Sequence, residues 1–329
     1  MRVGIAYDLR EEYLRQGYTE EETAEFDGLE TIQAIDQALQ SLGYETDRIG
    51  SVGSLVARLA AKERWGLVFN IAEGVNGLGR EAQVPALLDA FRVPYVFSDP
   101  VVMALTLHKG LAKHIVRDQG IRTADFAVVH DASDVADIAL PLPLFVKPIG
   151  GGTSVGISPA SKICSRGDLA SACRTLLQTY RQPVLVESFL GGREFTVGVV
   201  GTGPKAQALG VLEVVLREQA EADVYSYVNK SEYQARVSYQ LAEGAAAASA
   251  EAMALRVWRG LGCRDAGRVD LRCDLEGNLH FLEVNPLAGL HPQHSDLVIL
   301  CRLRGIRYPQ LIRMIMDSAL ERLLRDRDV

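Results

Sequence analysis

The sequence predicts a mixed α/β (α+β) protein built from more than one domain. At about 150 residues per domain, its 329 residues correspond to roughly two domains or three small ones. Hydrophobic residues make up 48% of the chain and charged residues 23%, which is typical of a protein with a large core and not of a disordered one. Short apolar runs typical of strands alternate with segments that carry apolar residues at helical spacing, and this alternation indicates packed sheets and helices.

The first hundred residues predict a βαβ-type unit. The run RVGIAY is expected to be a strand, and apolar residues from Ile32 to Leu42 then recur at helical spacing up to Gly43, a typical helix C-cap. The run LVFNIA predicts a further strand, and the Gly-rich segment EGVNGLG, a helix near PALLDAF and a short strand VPYVFS follow it. We therefore expect an N-terminal domain over residues 1–100.

The remaining sequence predicts two further units. Residues 101–118 are expected to form a helix, and FAVV and PLFVKP are expected to be strands on either side of a short acidic helix at 132–139. From VLVESF onward, strand-rich sequence precedes a helix, two more strands follow, and Pro309 opens a final amphipathic helix. We expect a central domain over residues 101–186 and a C-terminal domain over residues 187–329.

Composition and charge exclude several classes of function. The 35 basic and 42 acidic residues give a net charge of −7, so nucleic acid is not expected as a partner. No apolar stretch approaches the roughly 18 residues of a membrane span, and Met1 leads directly into a predicted strand instead of a signal peptide. The five cysteines include no close pair, which favours free thiols. We expect a cytoplasmic protein without membrane contact.

The segment GRVDLRCDLEGNLHFLEVNP concentrates charged groups on a predicted β-hairpin. A two-residue turn inside LEGN would pair Asp270 with Glu283 and Arg268 with Asn285, and strand alternation places all four on one face. The apolar residues between them are expected to point into the core on the other face: Val269, Leu271, Leu282 and Val284.

This hairpin face has two interpretations. Two facing carboxylates, Asp270 and Glu283, repel each other unless a cation lies between them. Oxygen ligands without Cys or His favour Mg²⁺ over zinc, so the pattern indicates a magnesium site. The alternative is a solvated acidic face on which Arg268 is an ordinary ion-pair partner.

The segment FVKPIGGGTSVG predicts a loop that can bind phosphate. Three consecutive glycines, Gly151 and Gly152 among them, let backbone N–H groups approach an anion, and Thr153 and Ser154 add hydroxyl donors. Lys147 stands at the end of the preceding strand, within reach of a phosphate. The loop matches neither the P-loop nor the dinucleotide-binding glycine pattern, and a plain glycine turn with a surface lysine is the alternative.

The segment VLVESFLGGREF has the features of an adenine site. It carries Glu187, the apolar pair Phe189 and Leu190, and Glu194. Such a segment offers apolar contacts to the face of an adenine and carboxylates to its amino group or to ribose hydroxyls. A plain strand–turn–strand is the alternative.

Together, and in this order, these segments resemble the ATP-grasp superfamily, and within it the D-alanine:D-alanine ligases. The resemblance runs from about residue 66 to 324 and includes VPYVFSDPVVMALTLHKGLAKHIV, FVKPIGGGTSVGIS, VLVESFLGGREFTV, YSYVNK, GRVDLRCDLEGNLHFLEVNP and YPQLIRMIM. It implies an ATP-grasp fold with an N-terminal βαβ pre-ATP-grasp domain, a small central domain and a C-terminal antiparallel-sheet domain. The implied activity is an ATP-dependent carboxylate–amine ligase that joins amino acids, or a related amino or hydroxy acid, through an acylphosphate.

The resemblance also implies roles for individual residues in binding ATP. Lys109, Lys147 and Lys230 would contact its phosphates or base, and Glu187 and Glu194 would contact the adenine amino group and the ribose. The apolar pair of the adenine segment would contact the adenine itself, and GGGTSVG would be a mobile lid over the phosphates, which is expected because water must not reach the acylphosphate.

The hairpin residues match the family's metal site. By resemblance, Asp270, Glu283 and Asn285 would bind Mg²⁺, with two ions expected and Mn²⁺ able to replace them. Arg268 matches the arginine that steadies the tetrahedral intermediate. Amino acids or related small carboxylates would be the partners, and a homodimer is open because relatives are often dimers.

The region implied to bind the first substrate departs from the family pattern. Where the family commonly has His-Gly, this chain has Glu73 followed by glycine, and either a cationic substrate or a structural carboxylate bonded to loop amides would explain it. The family's N-terminal glutamate, which holds the first substrate's amine, has no single match, although Glu25 and Asp27 lie near. After YSYVNK the family's tyrosine is replaced by Ser231, with Tyr233 two positions on.

The loop PLAGLHPQHSDL also differs from the family. Gly289 aligns with a family glycine, and Ser295 can hold the second substrate's carboxylate. His291 and His294 are additions, which are either general bases or ordinary loop histidines. An ATP-binding module without ligase turnover and an ATP-grasp kinase without an acyl acceptor are the alternative functions.

Overall fold

The computed structural model describes residues 1–221 and 226–325, and three separate sheets make up its framework. The first sheet consists of three parallel strands in the order β2-β1-β3. Its strands are β1 (Arg2–Tyr7), β2 (Glu45–Gly50) and β3 (Leu67–Ile71). Four helices accompany it: α1 (Arg10–Arg15), α2 (Leu29–Ser41), α3 (Val52–Ala60) and α4 (Gln83–Ala90).

The N-terminal unit differs from the sequence prediction at three places. Helix α1 was not expected, because none of its residues is buried and it carries no apolar repeat. The strand β2 and helix α3 were not expected, because the sequence ETDRIG is polar and only Ile49 of this edge strand is buried. The segment VPYVFS is not a strand. It makes a single bridge between Tyr95 and Val68, because the backbone turns at Phe97, whose φ is 77°.

The central unit is a small antiparallel sheet in the order β4-β7-β5-β6. Its strands are β4 (Phe126–Val129), β5 (Leu144–Pro148), β6 (Lys162–Ile163) and β7 (Val184–Ser188), and α7 (Arg166–Tyr180) packs against it. The short acidic helix is a 3₁₀ helix, Ala132–Asp137. Because β7 pairs within this sheet, the strand VLVES belongs to the central unit and spans the predicted boundary at residue 186. The division into three domains stays a prediction.

The helix predicted over residues 101–118 is two helices. They are α5 (Pro100–Leu107) and α6 (Lys109–Asp118), and His108 separates them. The His108 backbone leaves the helical region, with ψ at 89°, and its ring nitrogen Nδ1 accepts a hydrogen bond from the Leu111 amide. This N-cap begins a new helix, α6. The side chain of its first residue, Lys109, points toward the glycine loop.

The third sheet has five antiparallel strands in the order β10-β9-β8-β11-β12. The strands are β8 (Glu194–Val200), β9 (Gln207–Leu216), β10 (Val237–Leu241), β11 (Ala266–Cys273) and β12 (Leu279–Asn285). The helices of this unit are α8 (Tyr227–Ser231), α9 (Tyr233–Arg236), α10 (Gly244–Gly260), α11 (Asp296–Leu303) and α12 (Tyr308–Arg325). Helix α10 buries Trp258 and Ala254 against the sheet.

The final helix joins the C-terminal unit to the first sheet. Its residues Leu311, Ile312 and Ile315 are fully buried and share one core with residues of α2. That core also contains residues of β1 and β3, so the N-terminal sheet is held firmly beside the five-stranded sheet. All five cysteines are unpaired, as the sequence predicts. Among the described helices, none is both long and apolar enough to cross a bilayer.

Candidate active site

The β11–β12 hairpin brings four predicted site residues together. Asp270 pairs with Glu283 and Arg268 pairs with Asn285, the register expected from the sequence. Asp270, Glu283 and Arg268 line a cleft between the hairpin and the central sheet. The predicted juxtaposition of two carboxylates on one sheet face is therefore confirmed at this end of the hairpin.

The register at the turn end of the hairpin was predicted wrongly. A bulge follows Asp270, so Leu271 pairs with Phe281, and the turn runs over residues 274–278 with Gly277 at φ 86°. The extra residue sends Leu282 into the cleft, whereas Phe281 is fully buried in the core. The sequence prediction placed Leu282 in the core because it assumed uninterrupted alternation.

Three neighbouring side chains donate hydrogen bonds to the Asp270 carboxylate. Thr196 Oγ1 donates to Asp270 Oδ1 at 2.8 Å, Arg268 donates to Asp270 Oδ2, and Asn285 Nδ2 lies 3.2 Å from the same oxygen. Burial raises the pKa of Asp270 to about 6, with Arg268 opposing and Glu283 adding to the shift. Burial alone would raise the pKa of Glu283 too, but the cations around it, Lys109 first, outweigh burial and hold that pKa below its usual range.

This donor set fits a hard divalent cation. Asn285 Nδ2 lies 3.4 Å from Glu283 Oε1, so the amide stands between the two carboxylates, and a half-turn of the amide would present its oxygen at the same place. All three side chains then offer oxygen, the ligand that Mg²⁺ prefers. In the described part of the chain, no three His, Cys, Asp or Glu side chains form a metal-binding group, so the predicted site depends on Asn285.

Buried lysines lie opposite the hairpin. Lys147 Nζ lies 2.6 Å from Glu187 Oε1, and Lys113 Nζ lies 2.9 Å from Glu187 Oε2. Burial would raise the pKa of Glu187, but the two lysines outweigh burial and lower it to about 2. Lys109 Nζ lies 3.3 Å from Glu283 Oε2. The Glu187 anion thus holds Lys147 in place at the wall of the cleft.

The predicted adenine segment lines the apolar end of the same cleft. Phe189 and Leu190 face it beside Glu194. Arg272 Nη1 lies 3.2 Å from Glu194 Oε2, and the Arg272 guanidinium stacks on the Phe189 ring at 5.5 Å. An aromatic ring flanked by cations and carboxylates suits a heteroaromatic base with a ribose attached.

The glycine loop folds over the junction of this cleft and a second one. Thr153 lines both clefts and Ser154 lines the first. The Gly152 amide donates to Glu25 Oε1 at 2.6 Å, and Lys109 donates to the Gly151 carbonyl. The loop is therefore closed on the N-terminal unit, and a protein carboxylate accepts one of its amide hydrogens.

Replacing Gly152 by Ala is expected to lower the turnover number about tenfold or more. A Cβ at this position would stand 2.3 Å from Glu25 Oε1 and 3.3 Å from Glu25 Cδ, so the Glu25 carboxylate has to move away and the loop loses its contact with Glu25. Steady-state kinetics with ATP and the substrates check this expectation. Gly151→Ala is the control, because a Cβ there meets only Pro148 at 4.0 Å. Equal kinetics of the two variants would contradict a role for the Glu25 contact in closure.

The second cleft lies between the hairpin and the N-terminal unit. Arg268 and Glu283 belong to both clefts, and Glu25, Glu73 and Glu81 line the second. Gly289 lies in its wall, as does Asn285. The predicted substrate residues Glu73 and Gly289 are thus brought together with the predicted metal site.

Other predicted substrate residues lie close by. Ser295 Oγ accepts from the His291 amide at 2.9 Å, and a Cβ on Gly289 would stand 2.9 Å from the same oxygen. Tyr233 Oη and His294 Nδ1 are 2.9 Å apart. Lys230 Nζ lines the first cleft and lies 3.5 Å from Asp296 Oδ2. Tyr225 at the start of YSYVNK and the side chain of Ser231 lie outside what the structure describes.

Sequence reasoning missed several residues that shape the site. Lys113 follows Lys109 by one helical turn on α6, a spacing that would have indicated it. Thr196 faces Asp270 across β8 and β11, which only the strand order reveals. Asp296 lies 3.9 Å from Arg268. No local signal indicated that Glu81 would reach the second cleft.

Solved ligase structures share this fold. A solved D-alanine–D-alanine ligase from Bacillus anthracis, in complex with ATP, superposes over all of both chains with a TM-score of 0.73 at 20% identity. The VanG D-Ala:D-Ser ligase of Enterococcus faecalis aligns over 97% of this chain and 99% of its own, with a TM-score of 0.74 at 18% identity. At these identities the likeness shows the fold.

Sequence comparisons identify the family. The D-ala D-ala ligase C-terminus domain matches residues 115–317. An uncharacterised protein of Sinorhizobium fredii is 34% identical over 301 residues, covering 87% of this chain and 86% of that protein. A D-alanine–D-alanine ligase of Xanthomonas axonopodis is 32% identical over 292 residues, covering 86% and 87%. The chain belongs to the D-alanine–D-alanine ligase family and is an ATP-dependent ligase.

Proposed function

We propose that the protein phosphorylates the carboxylate of one amino acid with ATP and joins the resulting acylphosphate to the amine of a second. The observation that carries this proposal is the cluster of Arg268, Asp270, Glu283 and Asn285 at the junction of two clefts. One cleft suits a nucleotide and the other suits a small substrate with an ammonium group. The reacting atoms would meet where the clefts join.

Each group of the site would have a role in the first half of the reaction, the phosphorylation of the donor. A carboxylate is a poor electrophile, so an oxygen of the donor attacks the γ-phosphorus and ADP leaves. Mg²⁺, held by Asp270, Glu283 and Asn285, would neutralise charge on the phosphate oxygens. Lys147 and the loop amides would position those oxygens, and Lys109 would meet the group that is transferred.

The second half of the reaction forms the amide. The acceptor's neutral amine attacks the acyl carbon and the carbonyl oxygen takes up negative charge. Phosphate then leaves as that carbonyl reforms, and the nitrogen gives up one proton to the departing phosphate. Arg268 lines both clefts, so its guanidinium suits the charge on this oxygen. The closed glycine loop would exclude water, which otherwise hydrolyses the acylphosphate.

A phosphate-release screen tests the proposal. Purified protein is mixed with ATP, Mg²⁺ and paired libraries of D- and L-amino acids and hydroxy acids, and the products are identified by mass. Phosphate release that requires two substrates, with an amide product, is expected. ATP binding without release by any pair would favour a binding module, and a phosphorylated product that hydroxylamine cannot intercept would favour a kinase.

Replacing Ser295 by Ala is expected to raise the acceptor's KM about tenfold and to leave the KM for ATP nearly unchanged. Ser295 Oγ lies beside Gly289 in the wall of the second cleft, whereas the adenine segment lines the first, so a carboxylate held there would belong to the acceptor. Initial-rate kinetics with each substrate varied in turn measure both constants. Equal effects on both would reject this role.

We further propose a cytoplasmic protein that acts on small amino acids without a nucleic-acid partner, in agreement with its net charge of −7.

A further inference from the structure

Four carboxylates and only two cations, Lys109 and Arg268, line the second cleft among the described residues. Glu25, Glu73 and Glu81 reach it from the N-terminal unit, and Glu283 reaches it from the hairpin. Each buried carboxylate needs a cation or hydrogen-bond donors to remain charged. The partners of these four groups therefore indicate what a substrate must supply.

Two of the four carboxylates are satisfied. Glu25 Oε2 lies 2.5 Å from Arg80 Nη2, and Glu25 Oε1 accepts from the Gly152 amide. Glu283 lies beside Lys109 and takes part in the predicted metal site. Neither of these carboxylates requires a further cation from an amino acid.

The other two lack such partners. Glu81 is 8% exposed and accepts no hydrogen bond from any described residue, and the cation nearest to it is Arg80, 4.0 Å away and already bound to Glu25. Glu73 forms neither a hydrogen bond nor an ion pair with any residue in ranges 1–221 and 226–325. Among the described residues, both carboxylates thus face the cleft without a hydrogen bond, and Arg80, which Glu25 already binds, is the cation that they share.

Burial raises the pKa of both groups. The pKa of Glu73 lies well above its ordinary value because of burial first, and then because of Glu81 and Glu25. Burial raises the pKa of Glu81 to about 7, against the attraction of Arg80. A bound cation would lower both pKa values and so favour the charged pair.

We propose that the amino acid activated by this ligase carries two positive charges, its α-ammonium group and a side-chain cation, as in a diamino acid or an arginine-like amino acid. The proposal rests on the proposed ligase function. The donor's carboxylate must face Lys109 and Glu283, where phosphate is transferred. The rest of the donor then points to Glu73 and Glu81, which would bind one cation each.

The test measures donor activation alone. Full-length protein, ATP and Mg²⁺ are mixed with hydroxylamine, which traps any acylphosphate as a hydroxamate without an amino-acid acceptor. The donors are the D and L forms of lysine, ornithine, 2,4-diaminobutyrate and arginine, with norleucine and alanine as uncharged counterparts. We expect the best basic donor to exceed norleucine about 100-fold in kcat/KM.

Two variants test whether Glu81 and Glu73 cause the preference for basic donors. Glu81→Gln is expected to lower the ratio of basic to uncharged donor about tenfold, with the KM for ATP unchanged. Glu73→Gln is expected to act in the same direction. Glu276→Gln, on the exposed hairpin turn, is the matched control and leaves the ratio unchanged. If a cleft variant fails to fold, the donor preference of the unaltered protein decides the matter.

The outcomes separate the two proposals. Hydroxamate formation from alanine or norleucine at the rate of the basic donors would overturn the dication proposal and leave the ligase function standing. A basic preference that survives both Glu→Gln changes would also overturn it. Absence of hydroxamate with every donor, while ATP binds, would overturn the ligase function and the dication proposal with it.

Discussion

Replacing Glu283 by Gln is expected to lower Mg²⁺-dependent turnover about a thousandfold, because one of two carboxylates that would hold the ion becomes neutral. The protein should stay folded. Lys147 keeps its contact with Glu187 at 2.6 Å, and Lys109 keeps the Gly151 carbonyl, so neither cation is left alone. Phosphate release measured across a Mg²⁺ titration checks the result.

A matched control separates metal binding from general charge. Glu276→Gln removes one carboxylate from the exposed turn of the same hairpin and should not change the Mg²⁺ titration. Thermal unfolding of both variants verifies the fold. If Glu283→Gln had an unchanged Mg²⁺ dependence, the assignment of the metal site to the hairpin would be wrong.

Replacing Arg268 by Lys is expected to lower kcat about 100-fold or more, with a change of only a few-fold in the KM for ATP. Lysine retains the charge but lacks the planar set of donors that fits a carboxylate and a developing oxyanion together. The carboxylates of Asp270 and Asp296 also lose contacts, because the Arg268 guanidinium lies beside both of them. Steady-state kinetics with saturating substrates measure the change.

Arg272→Lys provides the contrast. This residue lies four positions further along the same strand, where it pairs with Glu194 and stacks on Phe189. Its replacement should raise the KM for ATP more than it lowers kcat. If both variants raised the KM for ATP equally, Arg268 would belong to nucleotide binding and not to the chemical step.

The part of the site that was predictable from sequence is local. A hairpin register follows from alternation and one turn, so Asp270 opposite Glu283 could be derived from twenty consecutive residues. The same reasoning placed Leu282 wrongly, since a bulge leaves no clear trace in an alternating pattern. The break between α5 and α6 at His108 was not predictable either. It depends on a hydrogen bond from the Leu111 amide to the His108 ring nitrogen, which the sequence pattern does not show.

The part that was not predictable depends on contacts between distant segments. Glu81 and Glu25 are 56 positions apart and meet because Arg80 contacts both of them, and the Gly152 amide joins Glu25 to the glycine loop. The Glu187 carboxylate was expected to contact nucleotide, whereas both of its oxygens lie against lysines. The ion-pair partner of a buried charge is set by the tertiary fold, and a single sequence does not show which cation will lie next to it.

Transfer of ¹⁸O shows whether a donor carboxylate is phosphorylated before the amide forms. A donor labelled in both carboxylate oxygens is converted with ATP, Mg²⁺ and acceptor, and the released phosphate is analysed by mass. We expect one ¹⁸O in each phosphate released, because the bridging oxygen of the acylphosphate leaves with phosphorus. Release of unlabelled phosphate while product accumulates would rule out an acylphosphate.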